Sequence, residues 1–468
     1  MIASITKPKS APTLASTFVL TPEQDTGFKR LEAFLESQER MFLLTGYAGT
    51  GKTTILSQVV KSYLAQHEYN RVALCAMSNK ATKVISRMAK KIKVRDEQCN
   101  ALTLCSLLGL RPQINAKTGK QEFRRDPKTP ATLDQYDLVV IDECSRLSAE
   151  MWEIIQDALL GLGLLSGTQV IFTGDPAQLP PVGEVDSPSF HCIDNKAHLS
   201  KVVRYDGAVG QLAERVRITR DWHTTPIVQT AHNAEASKGV WSLDDEAFGL
   251  VAEKLFGGDE YAANPDYGRL ICYRNRTVDK WNARIHACIY GPNAPRFQPG
   301  LTLMANSPVF GPSKDVIIAN SEEVRVEGVR EGINGGWKVW VLDVKVPNKT
   351  LPIVVFVLHE SEVERFNGQL KVLSAAKQWH PFWRLKQQFA DLKYAYAITA
   401  HKAQGSTFRN VFVPLGDLLA CRQKTEIDRL IYVAITRASH RVFVTGGAQL
   451  PDGLVLPPMF THTQTIKD

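Results

Sequence analysis

The chain has 468 residues, 44% of them apolar, with 56 Lys and Arg against 48 Asp and Glu. That length exceeds one ordinary core and fits two or three globular domains. A net charge of +8 argues only weakly for a nucleic-acid partner, and no apolar run approaches the roughly 20 residues that cross a bilayer. Eight scattered cysteines without a C-x-x-C pair read as buried thiols in a reducing compartment, so a cytoplasmic protein without a membrane partner is expected.

In chain order, residues 1–17 are rich in Ser, Thr, Pro and Ala and predict a disordered tail. Short β-branched runs follow at 41–45, 72–76, 138–141 and 170–173, with helical stretches between them. Such alternation predicts an α/β domain with a parallel sheet, spanning 18–109 and 134–198. Between 80 and 95 the bases Lys80, Lys83, Arg87, Lys90, Lys91, Lys93 and Arg95 occur with no acid, which suits either a phosphate backbone or a solvated helix face. The polar segment 110–133, with a turn at 117–120, predicts an inserted β-hairpin. Further strand-like runs at 270–273, 394–399, 411–414 and 441–445 predict a second α/β domain, 199–296 and 390–450. A block with close-spaced strands at 324–329, 337–346 and 353–358 splits it, and 297–389 is expected to form a small antiparallel β-barrel. Residues 451–468 are read as a second tail.

Three segments carry chemistry. Gly46-Tyr-Ala48-Gly49-Thr50-Gly51-Lys52-Thr53 fits G-x-x-x-x-G-K-S/T between a strand and the helical run that opens at Thr54. Its glycines let backbone N–H groups close on phosphates, Lys52 reaches the β- and γ-phosphates, and Thr53 offers a hydroxyl to Mg2+. At the end of the 138–141 strand stand Asp142, suited to Mg2+, and Glu143, suited to orienting and deprotonating the attacking water. Gln178, on the proline-braced turn after the next strand, is placed to sense the γ-phosphate. ATP hydrolysis with Mg2+ is the expected reaction.

The order GYAGTGKTT (46–54), IDECS (141–145), GDPAQLPPV (174–182), AYAITAHKAQGSTF (395–408) and YVAITRA (432–438) resembles motifs I, II, III, V and VI of superfamily 1 DNA helicases. Within that superfamily the chain is most similar to the phage Dda and RecD-like branch, superfamily 1B. The UvrD and Rep branch usually carries Glu where Thr407 stands. The resemblance implies two RecA-like P-loop NTPase domains, the first with the hairpin (1B, the pin) and the second with an SH3-like barrel (2B). It also implies 5′ to 3′ movement on single-stranded DNA with unwinding of forked duplex, and a single-stranded-DNA-binding protein or replisome component as a further partner. A protein-displacing translocase and a nucleotide-dependent switch are the alternatives.

Residue by residue, Gln24 resembles the adenine-contacting Gln of the Q motif, and Gly405 joins the nucleotide set. Arg204 and Arg437 resemble the two arginines that reach the γ-phosphate from the second domain. Ser78, Asn79 and Lys80 look like motif Ia, and Thr103 and Ser106 like motif Ib. With Thr399, His401 and Lys402 they would line the DNA path, and Phe123 on the hairpin would stack on the strand or the fork. The rings of Trp379 to Trp383, placed ahead of a helical run to Lys393, are read mainly as packing.

Overall fold

The computed structural model describes residues 20–77, 81–82, 85–86, 89–90, 97–115, 117–119, 121–163, 167–203, 207–222, 228–311, 316–347 and 349–446. Both expected tails, Ser78, Asn79, Lys80, Arg204 and most of the basic run between 80 and 95 lie outside the described residues.

Strands β1 (Met41–Gly46), β2 (Val72–Ala76) and β3 (Cys99–Thr103) precede a hairpin of β4 (Leu110–Ile114) and β5 (Gln121–Arg125). Strands β6 (Leu138–Asp142), β7 (Gln169–Gly174) and β8 (Lys196–Leu199) follow it. Apart from the hairpin they form one parallel sheet, ordered β3-β2-β6-β7-β1-β8. Its central strands are buried on both faces, which is why they read as unbroken apolar runs rather than alternating ones. Helix Pro22–Leu35 starts at a capping box in which Thr21 and Gln24 satisfy each other's backbone N–H groups. Helix Lys52–Gln66 buries Ile55, Leu56, Val59, Val60, Tyr63 and Leu64 against the sheet. Because β6, β7 and β1 are parallel neighbours, Asp142, Gly174 and Gly46 end side by side at the carboxyl edge, where such sheets hold ligands.

The second lobe has strands β9 (Ala231–His232), β10 (Gly239–Leu243) and β11 (Gly268–Cys272). Its insertion holds β12 (Thr302–Ala305), β13 (Val309–Phe310), β14 (Val316–Ile318), β15 (Glu323–Asn334), β16 (Trp337–Lys345), β17 (Ile353–Leu358) and β18 (Leu392–Tyr394). The lobe resumes with β19 (Ala397–Thr399), β20 (Phe408–Val413) and β21 (Ala438–Thr445). The lobe's sheet runs β19-β11-β20-β21-β10-β9, parallel except for the short β9 at its edge. In the insertion, β17-β16-β15-β12-β18 make an antiparallel sheet whose outer strands do not pair with each other, so its hydrogen-bonded form is open. Asn334 faces Trp337 across a two-residue turn, Gly335 and Gly336, with φ of 59° and 79°. That left-handed pair matches the twist of a tight hairpin.

Several expectations change. The run 394–399 is not one strand: Tyr394 ends β18 in the insertion, beyond the expected boundary at 389, while 397–399 forms β19 in the lobe's own sheet. The helix at Trp379 contains the tryptophans and stops at Lys386. Of the eight thiols Cys192 and Cys288 are exposed, the second on the outer face of an amphipathic helix, Asn275–Tyr290. Insertion and lobe are tied by Arg269, fully buried on β11, which pairs with Glu323 on β15 at 3.0 Å and lies over the Phe408 ring. Among the described residues no helix is long and apolar enough to cross a membrane.

Candidate nucleotide site and strand path

The loop after β1 depends on having no side chains at two positions. A Cβ on Gly46 would lie 2.7 Å from Thr50 Oγ1, and one on Gly51, whose φ is 90°, would lie 2.3 Å from Gln24 Nε2. The backbone can therefore wrap tightly before Lys52 opens its helix, whose first turn has no side-chain cap and so suits an anion. Thr53 is exposed in that first turn, Thr54 half-buried and Thr50 fully buried. Lys52 Nζ donates to the carbonyls of Gly46 (2.6 Å) and Tyr47 (3.1 Å), so the loop folds around its own ammonium. Gln24 is buried; its Nε2 donates to Thr50 O at 2.9 Å and its Oε1 accepts from Thr21 N–H. Both ends of the amide thus brace the loop.

Asp142 ends β6 and accepts the Glu143 N–H at 2.9 Å. Desolvation, then the neighbouring Glu143 charge, push its carboxyl up to about 6, against the pull of that N–H and of Lys52. Glu143 has a left-handed backbone, φ 56°, which turns its side chain out of the strand direction. Its Oε2 is buried without a hydrogen bond, 3.6 Å from Arg146 Nη1. Gly405, in the second lobe, abuts this carboxylate: a Cβ there would stand 2.5 Å from Glu143 Oε1, and its φ is 73°. The two lobes meet on the acid at the end of β6.

They meet again one strand over. Asp175 is buried and accepts from Ala177 N–H (2.9 Å), from Gln178 Nε2 (3.3 Å) and from the Tyr432 hydroxyl (3.0 Å), while that hydroxyl accepts from Ala48 N–H (3.0 Å). The Tyr47 ring has the Arg217 guanidinium 3.6 Å from its centroid and His198 edge-on at 5.0 Å. Tyr47, Lys201, Glu214, Arg217 and Tyr432 line a cleft of about 330 Å3 between the lobes. Tyr47 and Tyr432 lie inside two of the quoted motifs, but their meeting, and the part of Arg217, show only when the lobes come together. Arg437 is buried and donates to Val433 O, Ser406 O and Thr436 Oγ1, all within its own lobe. Val203 N–H donates to Gly49 O at 2.8 Å, so the segment leading to Arg204 runs along the loop.

Of the expected strand-path residues, Thr103 caps helix Leu104–Leu107 by accepting Ser106 N–H at 3.1 Å, with Ser106 exposed beside it. Thr399 caps Ala400–Ala403 in the same way. That short helix carries His401, held neutral-leaning by burial and by the Arg146 charge, and Lys402, which donates to Asn306 of the insertion. Arg146 therefore lies in electrostatic reach of both His401 and Glu143.

Phe123, 44% exposed, lines a groove of about 350 Å3 with Arg124, Arg125, Ile154 and Asp157. At the hairpin tip, Asn115 Oδ1 accepts the Lys117 and Thr118 N–H groups, and Gly119 has a φ of 69°. Gly119 presses on the Trp379 ring, which a Cβ would approach to 2.5 Å, and its carbonyl accepts from Trp383 Nε1 at 3.0 Å. The tryptophans do pack, but against the hairpin of the other lobe.

Residues 30–184 match the family model described as an AAA domain, and residues 394–445 match a UvrD-like helicase C-terminal domain. The sequence is 24% identical to the ATP-dependent DNA helicase Dda of Enterobacteria phage T4, covering 91% of this chain and 98% of that protein. It is 26% identical to the ATP-dependent RecD2 DNA helicase of Deinococcus radiodurans, covering 87% of this chain and 47% of that one. The fold matches the crystal structure of the Pif1 helicase from Candida albicans with a TM-score of 0.51 at 16% identity, over 92% of this chain and 95% of that one. In the order of its site segments and in these sequence matches the chain is similar to the ATP-dependent DNA helicases, consistent with superfamily 1B.

Proposed function

We propose that this ATP-dependent helicase translocates 5′ to 3′ on single-stranded DNA and separates forked duplex. The observation that carries the reading is the double meeting of the lobes at the nucleotide site, Gly405 on Glu143 and Tyr432 on Ala48 and Asp175. The second-lobe segment that ends in Gly405 also holds Thr399, His401 and Lys402, so a change at the nucleotide is felt where the strand would lie.

In this mechanism ATP phosphates displace the Lys52 ammonium from the Gly46 and Tyr47 carbonyls and take up the N–H groups from Gly49 to Thr54. Gln24, released from Thr50, faces the adenine. Thr53 and Asp142 are hard oxygen donors that fit Mg2+ and would hold it, and the ion would supply positive charge to offset that of the phosphates. Glu143 orients and deprotonates the attacking water, Gln178 senses the γ-phosphate, and Arg204 and Arg437 stabilise the charge that develops there. For Arg437 this requires release from its contacts with Val433 and Ser406, a step that nucleotide-driven closure would drive. Thr103, Ser106, His401 and Lys402, with Ser78, Asn79 and Lys80, grip the strand through its backbone, without reading sequence. Phe123 meets the fork. The insertion, SH3-like by resemblance, holds the hairpin in place through Trp379 and Trp383, and that support favours strand separation over translocation alone. A single-stranded-DNA-binding protein or replisome component is the partner class we assign.

The test is ATP hydrolysis measured with and without single-stranded DNA. Strong stimulation in the native chain, absent from Lys52→Ala although that variant still binds the strand, is the expected result. ATP hydrolysis indifferent to DNA would overturn the reading in favour of a nucleotide-dependent switch.

A further inference from the structure

The Tyr432 side chain is 98% buried at the junction of three segments that the sequence presents as separate motifs. Its hydroxyl accepts the N–H of Ala48 in the phosphate loop and donates to Asp175 Oδ2, the same oxygen that Gln178 Nε2 reaches. The ring belongs to a buried cluster that joins Leu430, Ile431 and Ile435 of its own lobe to Ala48 and Leu179 of the first, and a phenylalanine would keep that packing. The hydroxyl adds two directed bonds to the first lobe. The helix that bears it, Lys424–Ile435, packs on Ala400–Ala403, the helix of His401 and Lys402, and ends two residues before Arg437.

We propose that Tyr432 is a positioning residue that couples strand occupancy to ATP hydrolysis: one phenol fixes the second lobe to the phosphate loop and to the Asp175–Gln178 turn at once. A strand pressing on Ala400–Ala403 shifts the Lys424–Ile435 helix, and with it the hydroxyl that holds Ala48 and Asp175. Ala48 N–H and Gln178 are then aligned, or not, for the incoming phosphates. The inference rests on the strand-driven ATPase proposed above and assigns the contact through which the strand acts.

The experiment compares the native chain with Tyr432→Phe, reading kcat and KM for ATP with and without saturating single-stranded DNA, the strand Kd, and the unfolding midpoint. Loss of a hydrogen-bonded link of this kind should cut the ratio of stimulated to unstimulated kcat by about tenfold, while strand Kd and midpoint stay close to native. A native-like ratio and KM in Tyr432→Phe would overturn the proposal. So would a fall in the ratio fully accounted for by weaker strand binding or a lowered midpoint, since a packing role alone produces that. If the native chain itself shows no stimulation, the motor reading fails and this one with it; if the native chain is stimulated and the variant equally so, only the Tyr432 inference fails.

Discussion

Gly119→Ala separates the holding of the hairpin from the hydrolysis of ATP. The residue has a φ of 69°, its carbonyl accepts the Trp383 indole N–H at 3.0 Å, and an added Cβ would sit 2.5 Å from the Trp379 ring. A left-handed backbone costs an alanine about 1 kcal/mol. The ring cannot tolerate the methyl without moving, and the docked tip then gives up an indole hydrogen bond worth about 1 kcal/mol. Together roughly 2 kcal/mol shift the docked hairpin toward the undocked by about thirtyfold. The assay is unwinding of a forked duplex alongside strand-stimulated ATPase on the same preparations. Unwinding should fall at least about tenfold while ATPase stays within about twofold, and Trp383→Phe, which removes the hydrogen bond and keeps an aromatic ring, should lie between. Unwinding that survives Gly119→Ala at full rate, with the protein folded and hydrolysing, would refute the idea that the insertion supports the hairpin.

Three further outcomes follow from the geometry. Gly405→Ala places a methyl against the Glu143 carboxylate at a φ of 73°, so kcat for ATP should fall about tenfold or more with nucleotide affinity nearly unchanged, read by steady-state kinetics beside equilibrium binding. Glu323→Ala strands the fully buried Arg269 charge and should lower unfolding free energy by about 3 kcal/mol in urea; the double variant with Arg269→Met should recover part of that loss. His401 is held below its ordinary 6.5 by burial and by Arg146. The unfolded chain therefore binds the extra proton first, and this group's stability contribution is present above that pH and is lost as pH falls below it. His401→Gln should lose less urea stability than the native chain on acidification from about pH 7.5 to about 5.5.

The parts of the molecule legible in the sequence are those where one segment states its own geometry. Glycines and a lysine between a strand and a helix are forced into a phosphate loop, and a buried strand ending in two acids sits where a parallel sheet exposes its ligand edge. The hairpin within 110–133 is readable from its turn, and β15 to β17 from their close spacing. What the sequence hid were contacts made between lobes. Trp383 reaches a carbonyl 264 residues away, and Tyr432 reaches Ala48 across 384, with no periodicity or spacing to announce either. The single run from Tyr394 to Thr399 looked like one strand because both halves are apolar; only the two sheets competing for it, one antiparallel and one parallel, divide it.

The central claim, a motor that moves 5′ to 3′ and splits a fork, is tested most directly by unwinding of two matched duplexes, one with a 5′ and one with a 3′ single-stranded tail, in ATP and Mg2+. Strand separation of the 5′-tailed duplex alone, lost in Lys52→Ala, is the expected result. Separation of only the 3′-tailed duplex would contradict the direction, and hydrolysis without separation of either would contradict the helicase mechanism itself.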